Sequence, residues 1–304
     1  MSNTILVFGA AGGVGRWAAQ SAADHGAKVF LAMRNTQKTI PGLTASAEQA
    51  AGFQRIQADL SIPSSLTTAV QTSGATIAFV YAVESMEDRM KSAFETLKKA
   101  GIEFVVFLSA YAVQSTADEA IKRDMLPRMH AEMEINLRES GINYVSLRPA
   151  YFNTNLFFMQ GYKAGVIRSY GVDAVNDFIA PEDIGAVAGT LLTSPPEEKQ
   201  PDNAIYLCGP KLMRVRDAIG IVGEVLGKEI EVKDISEEDF ARESSFFGKD
   251  MLESMTILSK KCTPPNTFYP DEFWGKAVGN LKKFGGKEPM GLKAWVEVHK
   301  DEFQ

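Results

Sequence analysis

The sequence predicts an α/β protein built on a Rossmann-like doubly wound parallel sheet, with a smaller C-terminal substrate or cap domain. Three observations carry this expectation. Apolar, β-branched runs alternate with helical patterns through the first half of the chain, at a spacing that makes right-handed parallel crossovers. Most of those runs lack strict polar alternation, as expected of strands buried on both faces. The stretch TILVFGAAGGVGRWAAQ, from Thr4 to Gln20, joins a first apolar strand to an alanine-rich helix through a glycine-rich turn.

The elements follow in order. Strands are expected over 4–8, 28–33, 54–58, 76–81, 104–109 and 143–148, and helices over 14–25, 64–73, 86–100 and roughly 128–140. Pro63 suits a first helical turn, and Gly26, Gly101 and Gly141 sit where helices stop. Residues 151–175 mix aromatics with glycines. DFIAPEDIGAVAGTLL reads as a strand end, a proline-initiated turn and a helix from about 182, and AIYLCG as a short strand. LMRVRDAIGIVGEVLGKEIEVKDIS reads as helix, glycine stop and strand, followed by a helix capped by Ser236 with acids in its first turn. CTPPNTFYPDEFW reads as a loop and MGLKAWVEVHKDEF as a closing helix. Phe246, Phe247, Met251 and Met255 lie at near-helical spacing and are expected in the core, or in part along an apolar wall between the domains. This organisation places a nucleotide-binding domain over 1–150, with returning segments at about 174–208, and the smaller domain over 151–173 and 209–304.

Composition narrows the partners. The 304 residues are 45% hydrophobic, with a formal net charge of −6, so bulk electrostatics do not favour nucleic acid. The pairs Lys98-Lys99, Lys260-Lys261 and Lys282-Lys283 are short and scattered, and read as solvated faces. Cys208 and Cys262 lie far apart and lack metal-ligand spacing, as do three scattered histidines, so no metal is expected. Two buried free thiols in a reducing cytoplasm are expected, with one disulfide formally open. There is no basic-apolar leader and no apolar run near the ~18 residues that span a membrane. A cytoplasmic protein is the expectation, with a homodimer left open.

Gly9, Gly12 and Gly15 are spaced G-x-x-G-x-x-G between strand and helix. Gly9 allows the tight exit, Gly12 lets the backbone approach a pyrophosphate, and Gly15 lets the helix pack against the sheet. Ala11, Gly13 and Val14 complete the turn that offers helix N–H groups to the phosphates. The second strand ends in FLAMRNTQK, with Arg34 where an NAD site places an acid and Lys38 close behind. A guanidinium there pairs with a 2′-phosphate, which favours NADP(H) over NAD(H); the other reading is a solvated arginine. Asp59 and Leu60 stand where an acid and an apolar residue flank an adenine, or where an acid starts a helix. Topology brings three further segments to the carboxyl edge: Tyr81-Ala82-Val83, Ser109-Ala110-Tyr111, and Pro149 through Tyr151, Phe152 and Asn153. Ser109 is a candidate partner for substrate or ribose, and Tyr111 either a phenol offered to substrate or aromatic packing.

The motifs VFGAAGGVG, AMRN, QADL, VVFLSA, HAEMEINLRESGINYVSLRPAYFNTN, FIAPEDIGAVA and YLCGPKLMRVRDAIGIVGEVLGKEI together resemble the NmrA-like family of atypical short-chain dehydrogenases/reductases. The resemblance implies an NADP(H)-binding Rossmann domain with a small substrate domain. It implies function less narrowly, because the family includes quinone, isoflavone-type and imine-type reductases as well as NADP(H)-binding regulators. It also implies that RPAYFNTN lines the nicotinamide, with Phe152 as a wall and Asn153 as a polar contact. The Tyr-x-x-x-Lys pair of most short-chain reductases is absent: Tyr111 is followed four residues on by Ser115, and Tyr81 by Ser85. The family places His or Lys where this chain has His130. That histidine is expected near the start of its helix, oriented by Glu134 one turn on and titrating near neutrality. Without the usual proton donor, the expected substrate is a small apolar or aromatic quinone, enone or imine reduced by NADPH.

Overall fold

In the computed structural model, which describes residues 3–196 and 200–303, each apolar side chain along the first strand has a non-polar destination. β1 (Thr4–Phe8) sends Ile5 and Val7 to one face and Leu6 and Phe8 to the other, and all four are buried. It is flanked by β2 (Lys28–Met33), β3 (Gln54–Gln57), β4 (Ile77–Tyr81), β5 (Phe104–Leu108) and β6 (Asn143–Pro149). The second half adds β7 (Val166–Ser169), β8 (Val175–Asn176) and β9 (Ala204–Leu207). Seven strands form one parallel sheet in the order β3-β2-β1-β4-β5-β6-β9. The order reverses between β1 and β4, which opens a crevice at their carboxyl ends.

The helices of this layer are α1 (Gly13–Asp24), α2 (Ala45–Ala50), α3 (Pro63–Ser73), α4 (Lys91–Ala100), α5 (Ala117–Ala120), α6 (Met125–Glu139) and α7 (Pro181–Thr193). One face of the sheet packs on α1 and α7, the other on α3, α4 and α6. The α1–α7 contact is close because both helices carry small residues along it. A Cβ on Gly185 would stand 2.3 Å from the Trp17 Cβ, and one on Gly189 2.3 Å from the Ser21 Cβ. Pro63 and Pro181 occupy first turns, and Gly74, Gly101 and Gly227 end their helices in the left-handed conformation.

The helix expected over 86–100 begins only at Lys91. Arg89 and Met90 have φ of 50° and 65°, and the Asp88 carboxylate accepts from the N–H groups of Met90 and Ser92. A turn therefore replaces the first helical turn, and the Val83 N–H reaches the Met90 sulfur at 3.3 Å. The fourth helix of the expectation begins earlier than predicted, so His130 lies inside α6 rather than at its start.

The remaining elements are β10 (Met213–Arg214), α8 (Val215–Leu226), β11 (Glu231–Asp234), α9 (Glu237–Glu243), α10 (Lys249–Cys262), α11 (Asp271–Gly285) and α12 (Leu292–Val298). β10 pairs with β8 and β11 with β7. A separate core of aromatic and aliphatic side chains, centred on Trp295, Tyr269, Ile167 and Ile219, holds this region together. Two expectations change here. CTPPNTFYPDEFW is a loop only between Cys262, which ends α10, and Asp271, where α11 starts, and Leu281 of α11 joins the core of the main sheet. The Phe246–Met255 stripe is not core: Phe246 is 65% exposed, and α10 buries Leu252, Ser254 and Thr256 instead. Cys208 and Cys262 are buried free thiols, and no described helix is long and apolar enough to cross a membrane.

Candidate active site

The glycine turn places three backbone constraints in seven residues, Gly9 to Gly15. Gly9 has φ +71°, and a Cβ there would lie 2.8 Å from the Tyr81 ring. A Cβ on Gly15 would stand 2.3 Å from the Gly9 carbonyl oxygen, so this residue sets how closely α1 meets the strand exit. Gly12 differs: a Cβ would meet only the Gly9 oxygen at 3.2 Å, and otherwise enter open space. The Gly12 N–H donates to that oxygen at 2.8 Å. No side chain caps α1, and its first turn carries no acid, so its N–H groups and positive dipole end are left for an anion. Ala11 is half-buried, Gly13 exposed and Val14 buried behind the turn. This cradle fits the pyrophosphate of a dinucleotide.

Arg34 and Lys38 are exposed just beyond β2. Arg34 and Asp59 both act electrostatically on the Tyr81 phenol, whose pKa burial raises, so the three share one rim of the crevice. Asp59 bends the chain after β3, accepting from Ser61 N at 2.9 Å and Ser61 Oγ at 2.7 Å, while Leu60 is buried. Tyr81, Ala82 and Val83 are half-buried at the end of β4. The segment after β2 is strapped down by Arg55, which pairs with Glu48 and donates to the carbonyls of Thr36 and Lys38.

At the other end of the crevice the expected partnerships change. His130 is only 8% exposed, and its Nδ1 is buried without a hydrogen-bond partner. Burial, with the Arg148 guanidinium adding to it, pushes the imidazole down to about 4, so it is neutral at physiological pH rather than titrating near neutrality. Glu134 does not orient it. The Glu134 carboxylate accepts from Arg148 Nε at 3.0 Å and Nη2 at 2.5 Å, and from Ser109 Oγ at 2.5 Å. Arg148 is fully buried, and its Nη1 also donates to the Val113 and Ser115 carbonyls and the Tyr206 hydroxyl. Burial works against this charge, yet the bonds it donates to Glu134 and Tyr206 hold the guanidinium above its ordinary value.

Tyr111 is 1% exposed, boxed in by the rings of Tyr206, Phe268, Tyr269 and Phe273. Its hydroxyl donates to the Phe268 carbonyl at 3.3 Å, and burial drives its pKa up, so it packs rather than offering a phenol to substrate. The β6 exit is held by Asp177, which accepts from Tyr151 N, Gly209 N and the Tyr269 hydroxyl. Burial pushes that carboxyl up to about 6. Pro149 accepts from Tyr111 N, the Tyr151 ring meets Phe178 edge-on, and Phe152 bridges to Ile179 against the sheet core. Asn153 is fully buried, and both ends of its side-chain amide lack a partner. A buried amide is rarely left so, and this one follows β6 at the carboxyl edge of the sheet, where a nicotinamide carboxamide would complete it. No described group of His, Cys, Asp and Glu could hold a metal.

A cavity of about 690 Å³ opens between the segment after β5, the start of α6 and α10, with Gln114, Leu126, Pro127, Leu258 and Phe268 in its wall. Leu126 lies one turn before His130 on the same face of α6 and packs against the same core cluster as Tyr81, Ala82 and Val83.

The model of the NmrA-like family matches residues 1–296. The chain belongs to the NmrA-like family. The nitrogen metabolite regulation-like protein bik4 of Gibberella fujikuroi is 31% identical over 96% of this chain and 95% of its own length. A (4-alkanoyl-5-oxo-2,5-dihydrofuran-3-yl)methyl phosphate reductase of Streptomyces griseus subsp. griseus is 30% identical over 76% of this chain and 77% of its own. The structure of the NADPH-dependent quinone oxidoreductase QOR2 of Escherichia coli with NADPH covers 98% of this chain and 99% of its own, with a TM-score of 0.71 at 22% identity, a likeness of fold. In this NmrA-like chain the buried Arg148–Glu134 pair was missed by local reasoning. Its one trace is a cation inside the apolar strand YVSLRP, which calls for a buried counter-charge.

Proposed function

We propose that this NmrA-like protein binds NADP(H) and acts as a reductase of an activated apolar acceptor: a quinone, an enone or an imine. The observation that carries the reading is the Asn153 amide, buried and unpartnered at the crevice edge, on a sheet whose glycine turn presents open backbone to a pyrophosphate. The bound nicotinamide would supply a hydride to the acceptor, leaving NADP⁺, while one proton comes from solvent to balance the reduction.

The chain's own residues bind and orient. The turn from Gly9 to Gly15 and the start of α1 hold the diphosphate, and Arg34 with Lys38 neutralises the 2′-phosphate. Asp59, Leu60, Tyr81, Ala82 and Val83 flank the adenosine side and the middle of the crevice. Asn153 pairs with the carboxamide, with Pro149, Tyr151 and Phe152 forming the wall behind it. His130, neutral, contributes a ring N–H or lone pair to a ribose hydroxyl or an acceptor oxygen; it is not a cationic acid at pH 7. Ser109 is committed to Glu134 and serves as a positioning residue. A protein without a strong internal acid suits acceptors whose reduced form leaves as a stabilised anion or a neutral amine.

A second reading, an NADP(H)-responsive regulator without turnover, is favoured by the full-length similarity to the regulation-like protein of Gibberella fujikuroi. NADPH oxidation followed at 340 nm against quinones, enones and imines, together with calorimetric NADPH binding, separates the two. Turnover supports the reductase; tight binding with no turnover on any acceptor supports the regulator and refutes the first reading.

A further inference from the structure

The cavity beside α6 carries a charge pattern that the chain as a whole does not. The protein has a net charge of −6, yet the cavity wall holds Arg123, Lys260 and Lys261 against a single acid, Asp124. Two of these cations are engaged: Lys261 reaches Asp124 at 2.6 Å, and Lys260 reaches Glu237 at 2.7 Å. Arg123 has no carboxylate partner among the described residues and is exposed. Apolar side chains, Leu126, Ile257, Leu258 and Phe268, form the body of the cavity. Gln114 also lines it, and its Nε2 donates to the Phe268 carbonyl at 2.9 Å. A volume of about 690 Å³ suits one drug-sized molecule.

We propose that this cavity takes an amphipathic oxyanion, with an aromatic or apolar body against Leu126, Leu258 and Phe268 and a carboxylate or phosphate group on Arg123. A cation would meet a net positive wall, and a wholly neutral ligand would leave the one free guanidinium unused. A planar fork of N–H donors next to an apolar floor matches a planar ring that bears an acidic substituent. The proposal rests on the reductase reading insofar as the bound oxyanion is the acceptor: the quinone, enone or imine then carries an acidic group on its apolar body. The binding preference itself stands or falls without turnover.

The test is calorimetric binding of 1-naphthyl phosphate, 1-naphthoate and neutral 1-naphthalenemethanol to the full chain at low ionic strength, with and without saturating NADP⁺. Both anions should bind about tenfold more tightly than the alcohol, the scale of one charge-assisted hydrogen bond at a partly solvated site. Arg123→Gln should bring all three within about twofold, while Lys122→Gln, an exposed neighbour outside the cavity wall, should preserve the preference. The order of the two anions names the preferred group, and either order supports the proposal. Equal binding of alcohol and anions, or a loss with Lys122→Gln matching that with Arg123→Gln, overturns it. If NADP⁺ does not bind and the anion preference persists, the reductase reading falls and the oxyanion site stands.

Discussion

Replacing Arg148 with methionine should expose how much of the crevice wall depends on one buried charge. Arg148 makes five hydrogen bonds, two of them to Glu134, and is fully buried. Methionine fills much of the same volume but leaves the Glu134 carboxylate with only the Ser109 hydroxyl. The Ser115 carbonyl loses its donor, whereas the Val113 carbonyl keeps the Tyr206 hydroxyl at 2.8 Å. Removing one member of a buried ion pair costs about 3–5 kcal/mol, mostly the penalty on the charge left behind. For a chain of 304 residues that corresponds to a fall in Tm of roughly 5–8 °C. Glu134→Gln alone should cost a similar amount. The double variant should be more stable than the sum of the two losses by at least about 2 kcal/mol, because neither buried charge remains. Urea unfolding of the four proteins measures this cycle. An Arg148→Met loss below about 1 kcal/mol, or losses that simply add, would show that the pair does not act as the unit described here.

Four further outcomes follow from the geometry. Arg34→Ala should weaken NADPH binding by about 1.5–3 kcal/mol and leave NADH binding nearly unchanged; equal losses in calorimetry would remove Arg34 from the 2′-phosphate site. Gly12→Val should fold, since a Cβ there meets only one backbone oxygen at 3.2 Å, yet lose dinucleotide binding; wild-type affinity would refute the phosphate cradle. Gly185→Ala should destabilise the protein by more than about 2 kcal/mol, because its Cβ would collide with that of Trp17 at 2.3 Å, and an unchanged unfolding midpoint would contradict the α1–α7 contact. His130 bears on pH. Its native pKa of about 4 lies below the ordinary 6.5, so the unfolded chain takes up the proton first as pH falls. The stabilisation from a neutral His130 is therefore complete above 6.5 and lost between 6.5 and 4, about 3 kcal/mol in all. Asp177, raised to about 6, works in the opposite direction over 6 to 4. The stability difference between His130→Gln and wild type should shift in favour of the variant by up to that amount between pH 7 and pH 4, and a pH-independent difference would contradict the buried neutral imidazole.

What the sequence determined by itself was whatever short-range rules encode. The alternation of strand and helix, the glycine spacing at Gly9, Gly12 and Gly15, the prolines at first turns and the Ser236 cap each follow from contacts within a few residues, and the structure has them where the pattern points. The acid missing after β2 is legible for the same reason, because a strand's carboxyl end is fixed by the strand itself. The tertiary structure decided which side chain meets which across the sheet. Helical spacing pairs Glu134 with His130, yet β6 runs beside α6 and delivers Arg148, whose full charge binds a carboxylate more strongly than a neutral imidazole does. Tyr111 lies at a carboxyl edge where ligands bind, but rings from Tyr206, Phe268 and Phe273, up to 162 residues away in the chain, enclose it. The Phe246–Met255 stripe has the spacing of a buried face, while the face of α10 turned inward is the one carrying Leu252 and Thr256. Periodicity states that a face is apolar; which face is covered depends on elements that arrive from elsewhere in the chain, and only their packing settles it.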